Sequence, residues 1–166
     1  MNIKSNSEGN RTGILFICLG NICRSPLAEG VLQHKLSERG LQDQYIVDSA
    51  GTGDWHVGDL ADPRMRATAL RYGIDLKSRA RQVSEIDFKN FDMLLAMDHN
   101  NYMHLIDMAQ GESERERVHM MRTFDPDANK DFDVPDPYFG GDKGFEDVYH
   151  MLNRSCEMLL TMLENK

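Results

Sequence analysis

Short apolar runs alternate with longer amphipathic stretches along most of this chain. The apolar runs have the length of β-strands and lie at 13–18, 45–51, 92–97 and 117–124. Between and after them, apolar residues recur at helical spacing, often with Asp-Pro before or Gly after, which predicts helices at 27–40, 62–73, about 98–109 and about 145–164. The stretch 125–144 is rich in Asp, Pro and Gly and predicts a long loop.

Alternating strands and helices predict an α/β fold in which a four-stranded parallel sheet carries helices on both faces. The length of 166 residues suits a single domain, which we expect at 13–166. The polar segment 1–12 lacks the features of a secretory signal and predicts a flexible tail. Ligands of such sheets bind beyond the carboxyl ends of the strands. We therefore expect a site in the loop that follows the first strand, from Cys18 to Ser25.

Charge and cysteine content narrow the possible partners. The 19 Lys and Arg against 27 Asp and Glu give a net charge of −8, which disfavours attraction to nucleic acid or to an anionic membrane. No apolar stretch is long enough to cross a bilayer, so we expect a soluble protein. The three cysteines do not form a disulfide framework and indicate reduced thiols in the cytoplasm.

The loop sequence CLGNICRSP has the properties of an anion-binding cradle. Backbone N–H groups and the positive end of the following helix favour a phosphate there. Gly20 and Asn21 tolerate the unusual backbone angles of a tight ring. Ser25 suits the N-cap of the helix, and Pro26 suits its first position. Arg24 offers a planar fork of donors to two oxygens of one phosphate.

A cysteine ends the first predicted strand and faces this cradle. The donors and the arginine that hold a phosphate also stabilise a thiolate, which favours Cys18 as a nucleophile toward phosphorus. A lone cysteine at a strand end is more often a buried apolar side chain. The glycine-containing turn and the helix beginning with proline favour the catalytic interpretation. A nucleotide-binding loop would require GxxxxGK[ST], and no Lys-Ser or Lys-Thr pair follows this glycine.

With this loop, the chain closely resembles the low-molecular-weight protein tyrosine phosphatases. Further similar segments follow in the family's order: LAEG, DSAGTGDWHVG, DPRM, RARQV, FD, AMD and DPYFGG. The resemblance spans about 13–164 and implies a flavodoxin-like three-layer sandwich. It also implies hydrolysis of phosphotyrosine in proteins or peptides, and of small aryl phosphates, without a metal or cofactor. A phosphocysteine would be the intermediate and inorganic phosphate the product.

The resemblance also implies roles for individual residues. Cys18 would attack phosphorus, Arg24 would clamp the phosphate, and Asp136 would serve as general acid and then as general base. Ser25 is similar to the hydroxyl that bonds the thiolate, and Asn21 to the residue that stabilises the loop. The N–H groups expected to bind phosphate belong to Leu19, Gly20, Asn21, Ile22, Cys23 and Arg24. The aromatic side chains expected to grip the phosphorylated ring are Trp55, Tyr138 and Phe139.

The resemblance also bears on Cys23 and Ser78. The family implies that Cys18 and Cys23 form a reversible, protective disulfide under peroxide. Ser78 stands where some relatives carry a histidine that tethers the loop, which leaves the form of that tether open.

Other chemistries use a similar loop. An arsenate reductase of related fold would need resolving cysteines between Cys23 and Cys156, and the sequence has none there. An arginine phosphatase would typically carry a small hydroxyl residue at the position of Ile22. A module that only binds phosphate would need neither Cys18 nor Asp136. We therefore favour a tyrosine phosphatase.

The sequence does not predict a metal site. Segment 125–136 begins like a calcium-binding loop, but Lys130 occupies the position that requires glycine. The six histidines show no metal-ligand spacing.

Overall fold

The computed structural model describes residues 11–166 and contains one sheet of four parallel strands. The strands are β1 (Thr12–Cys18), β2 (Tyr45–Gly51), β3 (Met93–Ala96) and β4 (Val118–Met120). Their order is β2-β1-β3-β4. This is the strand order of flavodoxin-like folds, in which the first strand lies centrally and ligands bind at its carboxyl end. The predicted fold class is therefore confirmed.

Helices cover both faces of the sheet. They are α1 (Arg24–Glu38), α2 (Pro63–Arg71), α3 (Asp87–Asn90), α4 (His99–Met108), α5 (Glu112–Arg115) and α6 (Asp142–Glu164), with 3-10 turns at Gln42–Gln44 and Met121–Phe124. Alternate side chains of β1 point to opposite faces. Ile14 and Phe16 pack against α1 and α6, while Leu15 and Ile17 pack on the side of α3 and α4. All four are fully buried, and burying each such side chain stabilises the fold by about 1.5–3 kcal/mol.

Three predicted boundaries are wrong for identifiable reasons. Ser25 was predicted as the N-cap of α1 with Pro26 as its first residue, but the helix begins at Arg24, so Ser25 lies in its first turn and Cys23 is the N-cap. Strand β4 ends at Met120, which pairs with Ala96, the last residue of β3; without a partner beyond it the chain enters a 3-10 turn. Helix α6 begins at Asp142, which shortens the predicted loop 125–144.

The amino-terminal prediction falls mostly outside the described part of the chain. Strand β1 begins at Thr12, within the segment predicted as a tail, and residues 1–10 are not among those described. Within residues 11–166, no helix combines the length and the apolarity needed to span a membrane.

Candidate active site

The loop between β1 and α1 lies at the carboxyl end of the central strand, as predicted. Its carbonyl groups are bonded to neighbouring segments: the N–H groups of Thr52, Gly53 and Asp62 donate to the carbonyl oxygens of Cys18, Leu19 and Ile22 at 2.8–2.9 Å. Among the described residues, the N–H groups of 19–23 donate to no protein acceptor, and α1 has no side-chain cap. These donors and the positive end of α1 are therefore available to an anion.

Asn21 holds the loop in an unusual conformation. Its φ is 56°, in the left-handed region that Asn tolerates better than most residues. Its amide nitrogen donates to the hydroxyl groups of Ser25 and Ser49 at 2.8 and 2.9 Å, and its amide oxygen accepts from the backbone N–H of Arg81 at 3.0 Å. Gly51 permits the close approach, because a Cβ there would lie 2.7 Å from the carbonyl oxygen of Leu19. The loop shape is thus fixed from two sides.

Cys18 is buried at the floor of the loop, and its sulfur lies 2.9 Å from the Ser25 hydroxyl oxygen. Because that oxygen accepts from Asn21, its own proton is free to point to the sulfur. The carbonyl oxygen of Ala50 is a longer alternative at 3.4 Å. The Ser25 hydroxyl therefore lies within hydrogen-bond distance of the Cys18 sulfur, and it does not cap the helix.

The bonds continue from Asn21 into a buried carboxyl group. The Ser49 hydroxyl donates to an oxygen of Glu29 at 2.7 Å. Burial raises the pKa of Glu29, and hydrogen bonds from Ser49 and Ser78 oppose part of that rise. Ser78 therefore takes part in the network behind the loop.

Arg24 is buried, with 3% of its side chain exposed, and it faces the cleft from the first turn of α1. It donates to Asp98 at 2.7 Å and to the carbonyl oxygen of Val134 at 3.0 Å, and its other terminal nitrogen lies 3.7 Å from Asp136. Burial disfavours the charged form, but Cys18, Asp98 and Asp136 outweigh it and raise the pKa of Arg24. The guanidinium is held charged and oriented.

Asp136 lies at the mouth of this cleft and is 39% exposed. One of its oxygens accepts from the backbone N–H of Tyr138 at 3.0 Å, which fixes the carboxyl group relative to the loop. The other oxygen faces Arg24. A carboxyl group, a buried guanidinium and the Cys18 thiol therefore border the same cleft, which has a volume of about 180 Å³.

Aromatic side chains border the cleft. Trp55 is 70% exposed and Phe139 is 92% exposed, and the rings of Tyr138 and Phe139 meet edge to face with centroids 4.9 Å apart. The Arg64 guanidinium lies 5.4 Å from the Tyr138 ring centroid. Gly53 leaves room for Trp55, since a Cβ there would lie 1.9 Å from the indole ring.

Comparison with known proteins matches this chain to a family. The family model described as low molecular weight phosphotyrosine protein phosphatase matches residues 13–166. The chain belongs to that family, which is a family of hydrolases. It is 43% identical over 141 residues to the family member of Schizosaccharomyces pombe, covering 84% of this chain and 88% of the relative.

Two solved structures are similar over nearly the whole fold. A protein tyrosine phosphatase from Entamoeba histolytica is 43% identical, with a TM-score of 0.88, covering 93% of this chain and 97% of that one. The Drosophila arginine phosphatase is 35% identical, with a TM-score of 0.84, covering 90% of this chain and 96% of that one.

The structure brings most of the predicted site residues to one cleft. All of them line it except Asn21 and Ser25, which are buried in the loop and its helix. The sequence prediction missed His56, which lines the cleft, and Asp98, which orients Arg24. Asp98 had a usable signal, because it follows shortly after β3 at the carboxyl edge of the sheet.

Cys23 also borders the cleft. Burial raises its pKa strongly, and the nearby charges of Asp62, Cys18 and Asp136 raise it further. Cys23 therefore stays protonated beside a reduced Cys18. Cys18, Cys23 and Cys156 are all free thiols. Within residues 11–166, no group of three or more His, Cys, Asp or Glu side chains is arranged to hold a metal ion.

Proposed function

We propose that this protein hydrolyses phosphotyrosine in proteins or peptides, and small aryl phosphates, through a phosphocysteine on Cys18. The observation that carries the proposal is the convergence of Cys18, Arg24 and Asp136 on one cleft at the N-terminus of α1. A nucleophile, a phosphate clamp and a proton donor are the groups this reaction requires. No step of this reaction is assigned to a metal or cofactor.

In the first step the Cys18 thiolate attacks phosphorus. Arg24 and the N–H groups of 19–24 hold the non-bridging oxygens while negative charge shifts toward the leaving group. The bond between phosphorus and the phenolic oxygen breaks, and Asp136 transfers its proton to that oxygen. Free tyrosine side chain and phosphocysteine are the products.

In the second step water attacks phosphocysteine. Asp136, now a carboxylate, accepts a proton from the water, and the sulfur–phosphorus bond breaks to release inorganic phosphate. The departing sulfur becomes a thiolate, and the Ser25 hydroxyl at 2.9 Å donates to it. Asp136 is thereby reprotonated and Cys18 is restored.

The walls of the cleft suit an aromatic ester. Trp55, Tyr138 and Phe139 offer faces and edges to a phenyl ring, and Ile22 adds an apolar surface at the floor. The partner is accordingly a tyrosine-phosphorylated protein or peptide. The net charge of −8 supports neither nucleic acid nor an anionic membrane as a partner, and the odd, low count of three cysteines supports a reducing, cytoplasmic location.

Phosphoarginine is the second candidate substrate, because the Drosophila arginine phosphatase is so similar in structure. Ile22 favours tyrosine, since its apolar side chain offers no hydrogen bond to a guanidinium group. Paired peptides carrying phosphotyrosine or phosphoarginine distinguish the two. We expect the wild type to prefer phosphotyrosine and Ile22→Thr to shift the ratio of kcat/KM toward phosphoarginine. A wild-type preference for phosphoarginine would overturn the substrate assignment while leaving the mechanism intact.

Hydrolysis of aryl phosphate and of phosphopeptides in the presence of a chelator tests the mechanism. Cys18→Ser should abolish turnover, and Asp136→Ala should slow it roughly 10²–10⁴-fold, the range for a general acid. Full turnover by Cys18→Ser, or dependence on a metal, would refute the proposal.

Cys23 has a separate role in the proposal. Peroxide oxidises the Cys18 thiolate to a sulfenic acid and is itself reduced to water; the Cys23 thiol then displaces water from that sulfur, forming a disulfide. Because Cys23 stays protonated before oxidation, it does not compete with Cys18 for phosphorus. Peroxide inactivation should be reversed by a thiol reductant in the wild type but not in Cys23→Ala. Equal recovery in both would exclude the protective disulfide.

A further inference from the structure

Arg122 lies between β4 and the loop that carries Asp136, and its guanidinium joins two points of that loop. The side chain is only 9% exposed. Its Nε donates to the Asp125 carboxylate at 3.1 Å, and one terminal nitrogen donates to the carbonyl oxygen of Asp133 at 3.1 Å. The same nitrogen lies 3.5 Å from the exposed carboxylate of Asp131. The buried, charged guanidinium of Arg122 thus links Asp125, at the start of the loop, to Asp133, which lies three residues before the proposed acid Asp136.

Asp125, at the start of the loop, is firmly anchored. The carboxyl group of Asp125 is fully buried, and Arg154 of α6 donates to both of its oxygens at 2.8 and 3.0 Å. Burial opposes ionisation, but the hydrogen bonds from Arg154 and Arg122 prevail and lower the pKa of Asp125. The carboxylate therefore has two arginine partners, of which only Arg122 also bonds to the later part of the loop.

The Asp133 carbonyl, the other partner of Arg122 in the loop, is joined to Asp136 by a stiff segment. Val134 donates to the carbonyl oxygen of Met97 at 2.7 Å. Pro135 and Pro137 flank Asp136, so their ring-locked φ angles and the restrictions on the residues before them leave little freedom between Asp133 and the acid. The Asp133 carbonyl and the Val134 N–H belong to one peptide group, which Arg122 and Met97 hold from its two sides, and the orientation of that peptide sets where this stiff segment begins.

We propose that Arg122 is a positioning residue that sets the placement of Asp136 by holding the Asp133 carbonyl against the buried Asp125. Arg122 touches neither the cleft nor the reacting atoms. It acts only through the loop, and the inference rests on the proposed role of Asp136 as general acid. A shift of about 1 Å in such a group can cost up to about 100-fold in rate.

The dependence of kcat/KM on the leaving group separates this role from a structural one. Phenyl phosphate releases a basic phenolate that needs protonation, whereas para-nitrophenyl phosphate releases a stabilised phenolate that needs little. The measured quantity is kcat/KM for para-nitrophenyl phosphate divided by kcat/KM for phenyl phosphate. Partial unfolding lowers both values equally and leaves this ratio unchanged.

Arg122→Met should raise the ratio by at least about fivefold over the wild type. Arg154→Met is the matched comparison: it removes the other arginine on Asp125 but leaves the bond from Arg122 to Asp133 in place, so its ratio should rise less than that of Arg122→Met. Asp136→Asn should raise the ratio more than either. Arg122→Lys keeps the charge but lacks the fork, and should give an intermediate ratio if the methionine variant does not fold.

Two outcomes overturn the inference, and they can be told apart. A wild-type ratio in Arg122→Met and Arg122→Lys, together with a raised ratio in Asp136→Asn, refutes the role of Arg122 alone. A wild-type ratio in Asp136→Asn refutes the general acid itself and the inference with it.

Discussion

The sulfur of Cys18 and the hydroxyl oxygen of Ser25 lie 2.9 Å apart inside the fold. The hydroxyl accepts a bond from Asn21, so its single proton is free to point to the sulfur, which is nearer than the alternative acceptor, the Ala50 carbonyl oxygen. A thiolate gains a donor that a thiol would not need, which makes Ser25 most useful when sulfur is the leaving group.

Ser25→Ala should therefore slow the breakdown of phosphocysteine more than its formation. A hydrogen bond to a charged group contributes about 1.5–3 kcal/mol, so kcat should fall by about 10- to 100-fold. Stopped-flow measurement with para-nitrophenyl phosphate should reveal a burst of nitrophenolate followed by slow turnover.

Ser155→Ala is the control for Ser25→Ala. Ser155 is also buried in a helix, and its hydroxyl donates to the carbonyl oxygen of Met151 within α6. It should leave kcat and the burst unchanged. A Ser25→Ala enzyme without a burst, and with wild-type kcat, would exclude support of the leaving sulfur.

Asn21 serves the loop through both backbone and side chain, and two substitutions separate these contributions. Asn21→Ala and Asn21→Gly both remove the three amide hydrogen bonds. Only alanine is strained at a φ of 56°. Urea denaturation should find Asn21→Ala less stable than Asn21→Gly by about 1 kcal/mol, with kcat/KM reduced in both. An alanine variant as stable as the glycine variant would mean that backbone strain contributes nothing.

Glu29 should make stability depend on pH. Because burial raises its pKa in the folded state, the unfolded chain loses this proton first as pH rises. The stability contributed by the protonated form is complete below the ordinary glutamate value of about 4.3 and is lost as pH rises through the folded value. Free energies of unfolding at several pH values, for the wild type and Glu29→Gln, test this. The free energy of unfolding of the wild type should fall relative to that of Glu29→Gln as pH rises. A difference between the two that stays constant with pH would contradict this role of Glu29.

Local features of the sequence were enough to predict much of the fold and the loop. Apolar periodicity located each strand of the sheet because the pattern of buried and exposed side chains repeats within a few residues in strands and helices. Cys18 and Arg24 belong to one continuous loop between a strand and a helix, so their juxtaposition did not depend on distant contacts. The N-cap was misplaced because the side chain of Ser25 bonds to Cys18, which lies outside the helix, instead of to its end.

Local sequence patterns do not give the contacts between residues that meet across the fold. Asp98 reaches Arg24 from 74 residues along the chain, because β3 lies beside β1 in the sheet. Asp136 was predicted through family resemblance alone, since nothing in its spacing from Arg24 indicates contact. The short β4 likewise depends on where its partner ends, which the apolar run 117–124 does not reveal.

Covalent attachment of phosphate to Cys18 is the central claim. The most direct test is rapid acid quenching during turnover of para-nitrophenyl phosphate, followed by mass spectrometry of the digested protein. The account predicts a phosphate adduct on the peptide that contains Cys18, increased in Ser25→Ala and absent in Cys18→Ser. Undiminished hydrolysis with no adduct, or with the adduct on a different residue, would contradict it.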